Sequence, residues 1–413
     1  MHFGLLPPLS RRLPAESAFA ASGGITTLLH YFRRPESYFE TFPQFLEVAR
    51  NTHLQDFAVH LTLFNDAQVQ EMDQYLHMFG VTSFKIYMML KGALGHAIVM
   101  DQLTADGELE VADIDFNDGH LYEVFRTASK LPAKVRISVH SETAEIVMHE
   151  IERVKTTGLG GLAAWHHARP GESEAIAIQE VAYLSRMHNV PCYFPHIGSR
   201  QALDALKGVK AQGVDYGAET GPQYLALTID DPVGLLAKIT PPIRTSEDQA
   251  AVWAGVESGL LHTMGSDHIP YTNEEKQLGP VWTTRSAFGA IGLILPVLLT
   301  DGVHRGRISI TDVARVTSYE SARLFGLYPR KGTLIPGADA DFVLVDPDHE
   351  WVVHAEDLES SSEFSVFEGR SMRGRADITA VRGTVIYRDG EAVGKPGHGK
   401  YYRRYPVVEP ESV

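Results

Sequence analysis

Short apolar runs alternate with longer segments of helical polarity over most of the chain. The runs are rich in β-branched and aromatic residues, and we recognise seven of them, at residues 25–32, 57–64, 81–89, 135–140, 190–196, 214–218 and 261–267. Helix-like patterns separate them, most clearly at 172–188 and 246–258, and another at 16–22 precedes the first run. This alternation is typical of repeated βα units and predicts an α/β fold with a parallel sheet.

The number of predicted strands favours a barrel. Seven strands are one short of a (β/α)8 TIM-like barrel, and the gap falls at the N-terminus, where residues 1–4 lead directly into a loop containing Pro7 and Pro8. We therefore expect a barrel that lacks most of its first strand. An open doubly wound sheet is the alternative, but no Gly-x-Gly-x-x-Gly turn follows the first run to support it.

The pattern changes near residue 330. Segments 332–346 and 378–389 are strand-and-turn stretches rich in Gly, Pro and Asp, which predict a small β layer. We expect a barrel over residues 1–330 and a small β-sandwich portion over 331–413, ending in an extended arm on the surface or on a partner subunit.

Composition and charge narrow the class of partner. The chain has 413 residues and a formal net charge of -15, which disfavours nucleic acid or an anionic membrane as a partner and suits a small neutral or weakly charged substrate. No window reaches the roughly 18 apolar residues of a membrane span, and the longest run, 291–299, predicts a core helix. The single cysteine, Cys192, cannot form an internal disulfide, so we expect a cytoplasmic location.

One lysine lies in the middle of an apolar strand pattern, at Lys85 within residues 83–89. Burying an ammonium group without a partner costs several kcal/mol. The lysine either extends its amine to solvent from a strand end or is chemically altered. A neutral amine that takes up carbon dioxide becomes a carbamate, an anion whose oxygens can bridge two metal ions.

Other metal-ligand types recur where the predicted strands end. His140 ends the fourth run, His196 ends the fifth and Asp267 ends the seventh. In a barrel the carboxyl ends of the strands carry the reacting groups, and imidazole and carboxylate are ligands for zinc or a similar metal. A single such histidine is more often structural, but together with Lys85 these residues predict a metal site. By default we assign structural roles to the remaining candidate histidines, which could instead orient a ligand: His60, His166, His167 and His268.

At these residues the chain resembles the cyclic-amide branch of the amidohydrolase superfamily, most closely the dihydropyrimidinase and hydantoinase group. The resemblance extends over nearly the whole length. The segments that carry it are 83–85, 139–142, 169–175, 195–199, 219–225, 241–244, 265–268, 329–334 and 336–341.

The resemblance implies a hydrolase that opens a dihydropyrimidine- or hydantoin-like ring at an amide C–N bond. Two zinc ions per chain would be bridged by carboxylated Lys85, with His140 and His196 on one metal and Asp267 on the other. Hydroxide held between the metals would attack the ring carbonyl, and Asp267 would carry the proton to the leaving nitrogen. We also expect a homo-oligomer, either a dimer or a tetramer.

The chain departs from the family pattern at three places. The family's first-strand His-x-His pair supplies two ligands to the same metal as Asp267, and at most its second member is present here, as the candidate ligand His2, which suggests a start chosen inside the gene. The alternative is that His2 is a disordered terminal residue. The family tyrosine that bonds the reacting carbonyl is replaced by Leu90, unless Tyr87 substitutes for it. The expected substrate-binding residues are Thr240 in place of serine and Gln277 in place of asparagine, so the ring differs from the commonest dihydropyrimidine.

Two other readings remain open. An allantoinase-like or dihydroorotase-like enzyme would need an arginine for an acidic substrate; Arg244 and Arg285 are candidates, although a structural salt bridge fits each better. The other reading is a non-catalytic oligomeric scaffold that keeps the fold and loses metal ligands. Retention of Lys85 beside two histidines favours the enzyme, because a scaffold has no physical need for that lysine.

Overall fold

The computed structural model describes residues 6–405 and contains a large parallel sheet, a smaller antiparallel sheet and a two-stranded hairpin. The strands in chain order are β1 (Thr27–Phe32), β2 (Asp56–Thr62), β3 (Ser83–Tyr87), β4 (His96–Leu103), β5 (Leu109–Asp113), β6 (Arg136–His140), β7 (Cys192–Phe194), β8 (Tyr216–Thr220), β9 (Thr263–Met264), β10 (Phe342–Val352), β11 (Ser371–Val381), β12 (Thr384–Arg388) and β13 (Glu391–Ala392).

Helices cover the parallel sheet and connect its strands. In chain order they are α1 (Leu9–Ser22), α2 (Tyr38–Thr52), α3 (Asp66–Gln70), α4 (Met72–Phe79), α5 (Asp118–Ala128), α6 (Ala144–Lys155), α7 (Gly161–Ala168), α8 (Gly171–His188), α9 (Arg200–Ala211), α10 (Pro222–Ala226), α11 (Ser246–Glu257), α12 (Asn273–Lys276), α13 (Ile294–Val297), α14 (Ile310–Ala314) and α15 (Glu320–Leu324). Short 3₁₀ or π turns lie at Gly92–Leu94, Gly234–Ala237, Ile291–Leu293, Leu298–Val303, Arg315–Tyr319 and Ala355–Asp357.

The parallel sheet has the strand order β1-β2-β3-β6-β7-β8-β9. Each of its strands overlaps one of the seven apolar runs, so the predicted strands are confirmed. A doubly wound sheet contains a point at which strand order reverses, and the order of the described strands has none. The α/β barrel class is therefore confirmed and the open-sheet alternative is excluded; β1 and β9 are the edges of the described sheet.

The strands are apolar because both faces of the sheet are covered. Every residue of β2 is buried, as are four of the five residues of β3. Parallel strands that face helices on one side and the barrel interior on the other read as nearly continuous hydrophobic runs. The helices predicted at 172–188 and 246–258 are confirmed as α8 and α11, and a capping box between Thr245 and Asp248 fixes the start of α11.

Local structure differs from expectation at three places. Helix α1 begins at Leu9 and includes Pro14, so it is longer than the predicted 16–22 segment. The run at 291–299 is helical, but 3₁₀ and π turns interrupt it around Pro296. The β4–β5 hairpin was not predicted, because its second half is too polar to resemble a strand.

The antiparallel sheet β10-β11-β12-β13 follows the barrel in sequence, which confirms the predicted β layer. It packs against α1 through a small apolar cluster of Ala21, Leu54, Val381 and Ile386 with Tyr387. Thr379 Oγ1 donates a hydrogen bond to the carbonyl of Ala21 at 2.8 Å. The boundary between residues 330 and 331 stays a prediction.

Residues 400–404, expected to form an extended arm on the surface or on a partner subunit, lie against the barrel of their own chain. The Phe57 amide donates to the Lys400 carbonyl at 2.9 Å, and the Tyr402 amide donates to the Phe57 carbonyl at 2.7 Å. Arg404 Nη1 donates to Ser83 Oγ at 2.8 Å. The segment therefore fastens the amino ends of β2 and β3. Within residues 6–405, no helix combines the length and apolarity that crossing a membrane requires.

Candidate functional site

A cavity of about 280 Å³ opens where the strands of the parallel sheet end. It is lined by Lys85 of β3, His140 at the end of β6, and His196 and Asp267, which follow β7 and β9. These four predicted ligands are distant in sequence and meet because the carboxyl ends of parallel strands share one edge. His2, the fifth predicted ligand, lies outside the described residues.

Lys85 is buried, with 1% of its surface exposed. Its Nζ lies 4.9 Å from the ring centroid of Tyr31 and 4.8 Å from that of Tyr87. Burial lowers the pKa of Lys85 to about 7, an effect that the negative charges of Asp267 and Glu219 partly oppose. A substantial fraction of the amine is therefore neutral near pH 7, which is the form that can react with carbon dioxide.

The two histidines are adjacent, with ring centroids 4.5 Å apart. Burial lowers the pKa of His140 and takes the pKa of His196 well below its usual value. Both imidazoles are consequently neutral near pH 7, as metal ligation requires.

A buried ion pair orients His140. Its Nε2 lies 2.5 Å from Glu142 Oε2, and Arg169 holds the same carboxylate at 2.9 and 2.7 Å. Burial would raise the pKa of Glu142, but Arg169 and His140 hold it well below its usual range. An ionised Glu142 accepts a hydrogen bond from the Nε2–H group of His140, so the lone pair of His140 is on Nδ1. The sequence did not predict that Glu142 and Arg169 orient His140, although both residues lie in segments that resemble the family, 139–142 and 169–175.

The backbone turns sharply at the other two ligands. His196 and Asp267 have φ angles of 49° and 47°, in the left-handed region that non-glycine residues rarely adopt. Strained residues of this kind cluster at functional sites. Gly265 permits the turn after β9, because a Cβ there would lie 2.1 Å from the carboxyl carbon of Glu219.

Two of the histidines left as structural have defined partners. His268 Nε2 lies 2.8 Å from Glu16 Oε2, and its Nδ1 accepts from the Ala290 amide at 3.0 Å, so it ties the segment after Asp267 to α1. His60 Nδ1 lies 2.7 Å from Ser83 Oγ, and its ring stacks on Tyr31 at 4.7 Å.

The two predicted substrate contacts have different positions. Thr240 lines the cavity, and its Oγ1 donates to Ser286 Oγ at 3.1 Å. Gln277 follows α12 with a φ of 50°, is exposed and is not among the cavity-lining residues, because the left-handed turn takes its side chain into solvent. Leu90 lines the cavity as an apolar contact, and the hydroxyl-bearing rings there are Tyr31, Tyr87 and Tyr271.

The two candidate arginines also differ. Arg244 forms a buried ion pair with Glu174, which is the structural role expected of it. Arg285 lines the cavity instead, and its Nη1 donates to the Glu275 carbonyl at 3.0 Å. The expectation of a structural salt bridge at Arg285 is wrong, since no ion pair involving Arg285 occurs within residues 6–405.

The imidazole and carboxylate groups of the cavity can hold a metal ion only if another side chain supplies a further ligand. In the part of the chain that the structure describes, no group of three or more His, Cys, Asp or Glu side chains is close enough to hold a metal. Lys85 is the buried group that can supply additional oxygen ligands, provided that it is carboxylated.

Comparison with known proteins identifies the family of this chain. The model of the amidohydrolase family matches residues 110–385. An L-hydantoinase of Paenarthrobacter aurescens is 31% identical over 402 residues, which cover 95% of this chain and 82% of that protein. A D-hydantoinase of Rhizobium radiobacter is 31% identical over 403 residues, covering 93% and 82%. The crystal structure of the dihydropyrimidinase from Brevibacillus agri NCHU1002 superposes with a TM-score of 0.84 at 26% identity, covering 97% of this chain and 84% of that one.

The chain therefore belongs to the amidohydrolase family, and within it to the group of hydantoinases and dihydropyrimidinases. The expected α/β barrel with its second, β-rich part is the fold of these relatives.

Proposed function

We propose that this protein is a metal-dependent hydrolase that opens a cyclic amide or imide at a C–N bond. The observation that carries the proposal is Lys85, a buried lysine with a pKa of about 7 in one cavity with His140, His196 and Asp267. The hydantoinases among its relatives support this reaction class.

We assign two zinc ions to the site, bridged by carboxylated Lys85. His140 and His196 would hold one ion, and Asp267 would hold the other. When bound, the metals supply Lewis acidity at the ring carbonyl and a water nucleophile near neutral pH. The neutral histidines and the depressed pKa of Lys85 support this ligand set.

The protein's own groups then bind and move protons. Asp267 accepts the proton of the attacking water and returns it to the ring nitrogen as that nitrogen leaves. Thr240 contributes a hydroxyl to the cavity wall and would hydrogen-bond the ring. Arg169 and Glu142 keep His140 in the tautomer that ligation needs.

Two further expectations belong to the proposal. The lone cysteine is buried in β7, where burial raises the pKa of its thiol to about 12, so it suits a reducing cytoplasm. A homo-oligomer, a dimer or a tetramer, remains our expectation for the assembly. The scaffold alternative predicts no bound metal.

The experiment measures bound zinc and lysine carboxylation together. Protein produced with added zinc should contain two zinc ions per chain, and ¹³C-labelled bicarbonate should give one carbamate signal. Lys85→Ala should lose the signal and most of the zinc, and acetate should restore zinc by filling the vacated space with a carboxylate. Lys276→Met is the matched control, because Lys276 is also buried with a pKa of about 7. No zinc and no carbamate in the unaltered chain would support the scaffold.

A further inference from the structure

Two arginines line the cavity without a carboxylate of their own. Arg33 and Arg285 are both lining residues, and neither forms an ion pair with any residue between 6 and 405. The third arginine of the lining, Arg169, is neutralised by Glu142. Neither guanidinium group therefore pairs with a carboxylate among the described residues, although Glu219 and Asp267 also line the cavity.

Arg33 directly follows β1. Its carbonyl accepts a hydrogen bond from the Met100 amide of the β4–β5 hairpin at 3.3 Å. Its guanidinium carbon lies 6.0 Å from the ring centroid of Tyr87. Its Nε is buried and has no hydrogen-bond partner within the described chain. A buried donor without a partner is uncommon in folded proteins and suits a ligand acceptor.

Arg285 reaches the cavity from the segment after α12. Its amide donates to the Lys276 carbonyl at 3.1 Å, and one guanidinium nitrogen donates to the Glu275 carbonyl at 3.0 Å. Both arginines affect the pKa of the same buried phenol. Burial raises the pKa of Tyr271 to about 12, and the positive charges of Arg33 and Arg285 oppose this rise. Arg33, Arg285 and Tyr271 all line this one cavity.

We propose that the cyclic amide opened here carries a carboxylate substituent, which Arg33 and Arg285 bind. The inference rests on the proposed function and narrows its substrate class. A guanidinium group matches a carboxylate with two parallel hydrogen bonds, whereas a neutral ring leaves both guanidinium groups without a carboxylate partner among the described residues. The overall charge of -15 favours a neutral or weakly charged substrate. The two arginines in the cavity lining favour a negatively charged substrate instead.

The test compares two hydantoins that differ only in charge, one with a propionic acid at ring position 5 and one with the isosteric propionamide. The unaltered enzyme should prefer the acid by at least about tenfold in kcat/KM. Arg33→Met or Arg285→Met should lower kcat/KM for the acid by about 10- to 100-fold, the effect of losing a charged hydrogen bond. The same changes should lower kcat/KM for the amide less than about threefold.

Arg307→Met is the matched control. Arg307 is also half-buried, with its guanidinium carbon 5.2 Å from the ring centroid of Trp253, and it does not line the cavity. Its replacement should leave the acid-to-amide ratio unchanged. Equal use of both compounds by the unaltered enzyme, or an equal loss for both in the Arg33 and Arg285 variants, overturns the inference.

Failure of the proposed function can be distinguished from failure of the carboxylate inference. If neither compound is opened, the hydrolase assignment fails, and titration calorimetry with the same pair decides the inference. Tighter binding of the acid that depends on Arg33 or Arg285 then supports a carboxylate site, whereas equal binding of acid and amide rejects it. Circular dichroism of both variants identifies any that does not fold, and the other arginine variant then supplies the answer.

Discussion

Lys85 within β3 and the metal-ligand types at the ends of β6, β7 and β9 could be predicted from the sequence. Packing alone does not explain a lysine in an apolar run or histidines at strand ends. The residues that surround and orient these side chains could not be predicted in the same way. Glu142 and Arg169 meet across 27 positions of the chain, and Arg33 directly follows a strand without any apolar or motif signal. Gln277 was assigned because it stands in place of the family's asparagine, and such a resemblance does not determine the direction of a side chain.

Glu142→Gln tests the support of His140. The amide keeps the shape but removes the charge that fixes the imidazole tautomer, so we expect the affinity for zinc to fall about 10- to 100-fold. Competition with a chromophoric chelator measures this affinity. Glu150→Gln is the control, because Glu150 pairs with Arg153 at 2.6 Å on the surface of α6. Unchanged zinc affinity in Glu142→Gln would show that the carboxylate does not act through the metal site.

At the scale of elements, the period of the apolar runs predicted all seven strands of the parallel sheet. It missed the β4–β5 hairpin, which supplies His96, Ala97 and Ile98 to the cavity. A polar hairpin on the rim of a barrel carries little hydrophobic signal. Residues 284–287, which are far from the hairpin in the sequence, form another part of the cavity wall. Two buried lysines hold this segment: Lys238 Nζ donates to the Thr284 carbonyl, and Lys276 Nζ donates to the Ala287 carbonyl at 2.7 Å.

Lys276→Met should make stability less dependent on pH. Burial, with a smaller effect of Lys238, lowers the pKa of Lys276 from 10.5 to about 7. Below pH 7 both folded and unfolded chains hold the proton, and the burial penalty is complete. Between pH 7 and 10.5 the unfolded chain holds more protons, so stability rises with pH.

The variant lacks this rise, so its free energy of unfolding relative to the unaltered chain should be highest near pH 6.5. The difference should then fall with pH by at most about 1.4 kcal/mol per unit. Urea denaturation at pH 7, 8 and 9 measures the difference. Lys207→Met, on the exposed face of α9, should give a constant offset. A constant offset for Lys276→Met would contradict the assigned pKa.

At the scale of the whole molecule, segments distant in sequence close the end of the barrel opposite the cavity. Tyr402 is 8% exposed and packs with Ala58 of β2 and with Ala322 and Leu327. Its hydroxyl donates to Asp339, and its ring lies 4.9 Å from Lys331 Nζ. Lys331 in turn bonds Asp56 at 2.6 Å. Lys331 and Tyr402 are therefore bound to the barrel near the amino end of β2, away from the cavity.

Tyr402→Ala should destabilise the protein by about 3 to 5 kcal/mol, the usual cost of removing a buried aromatic side chain. Zinc content at low temperature should not change, because Tyr402 is absent from the cavity lining. Thermal and urea denaturation measure the loss. Arg403→Ala, in the exposed neighbouring position, should have little effect. A loss of zinc without a loss of stability would indicate that this segment influences the metal site.

The amino-acid sequence by itself determined the architecture and the kind of chemistry. Apolar periodicity specifies which segments become strands, and a lysine, two histidines and an aspartate at strand ends are residue types that few structural roles explain. Only the tertiary structure decided which of these side chains meet, which carboxylate orients His140, and that Arg33 and Arg285 line the same cavity. Those outcomes depend on contacts between segments far apart in the chain, and local patterns of polarity do not specify which distant segments come into contact.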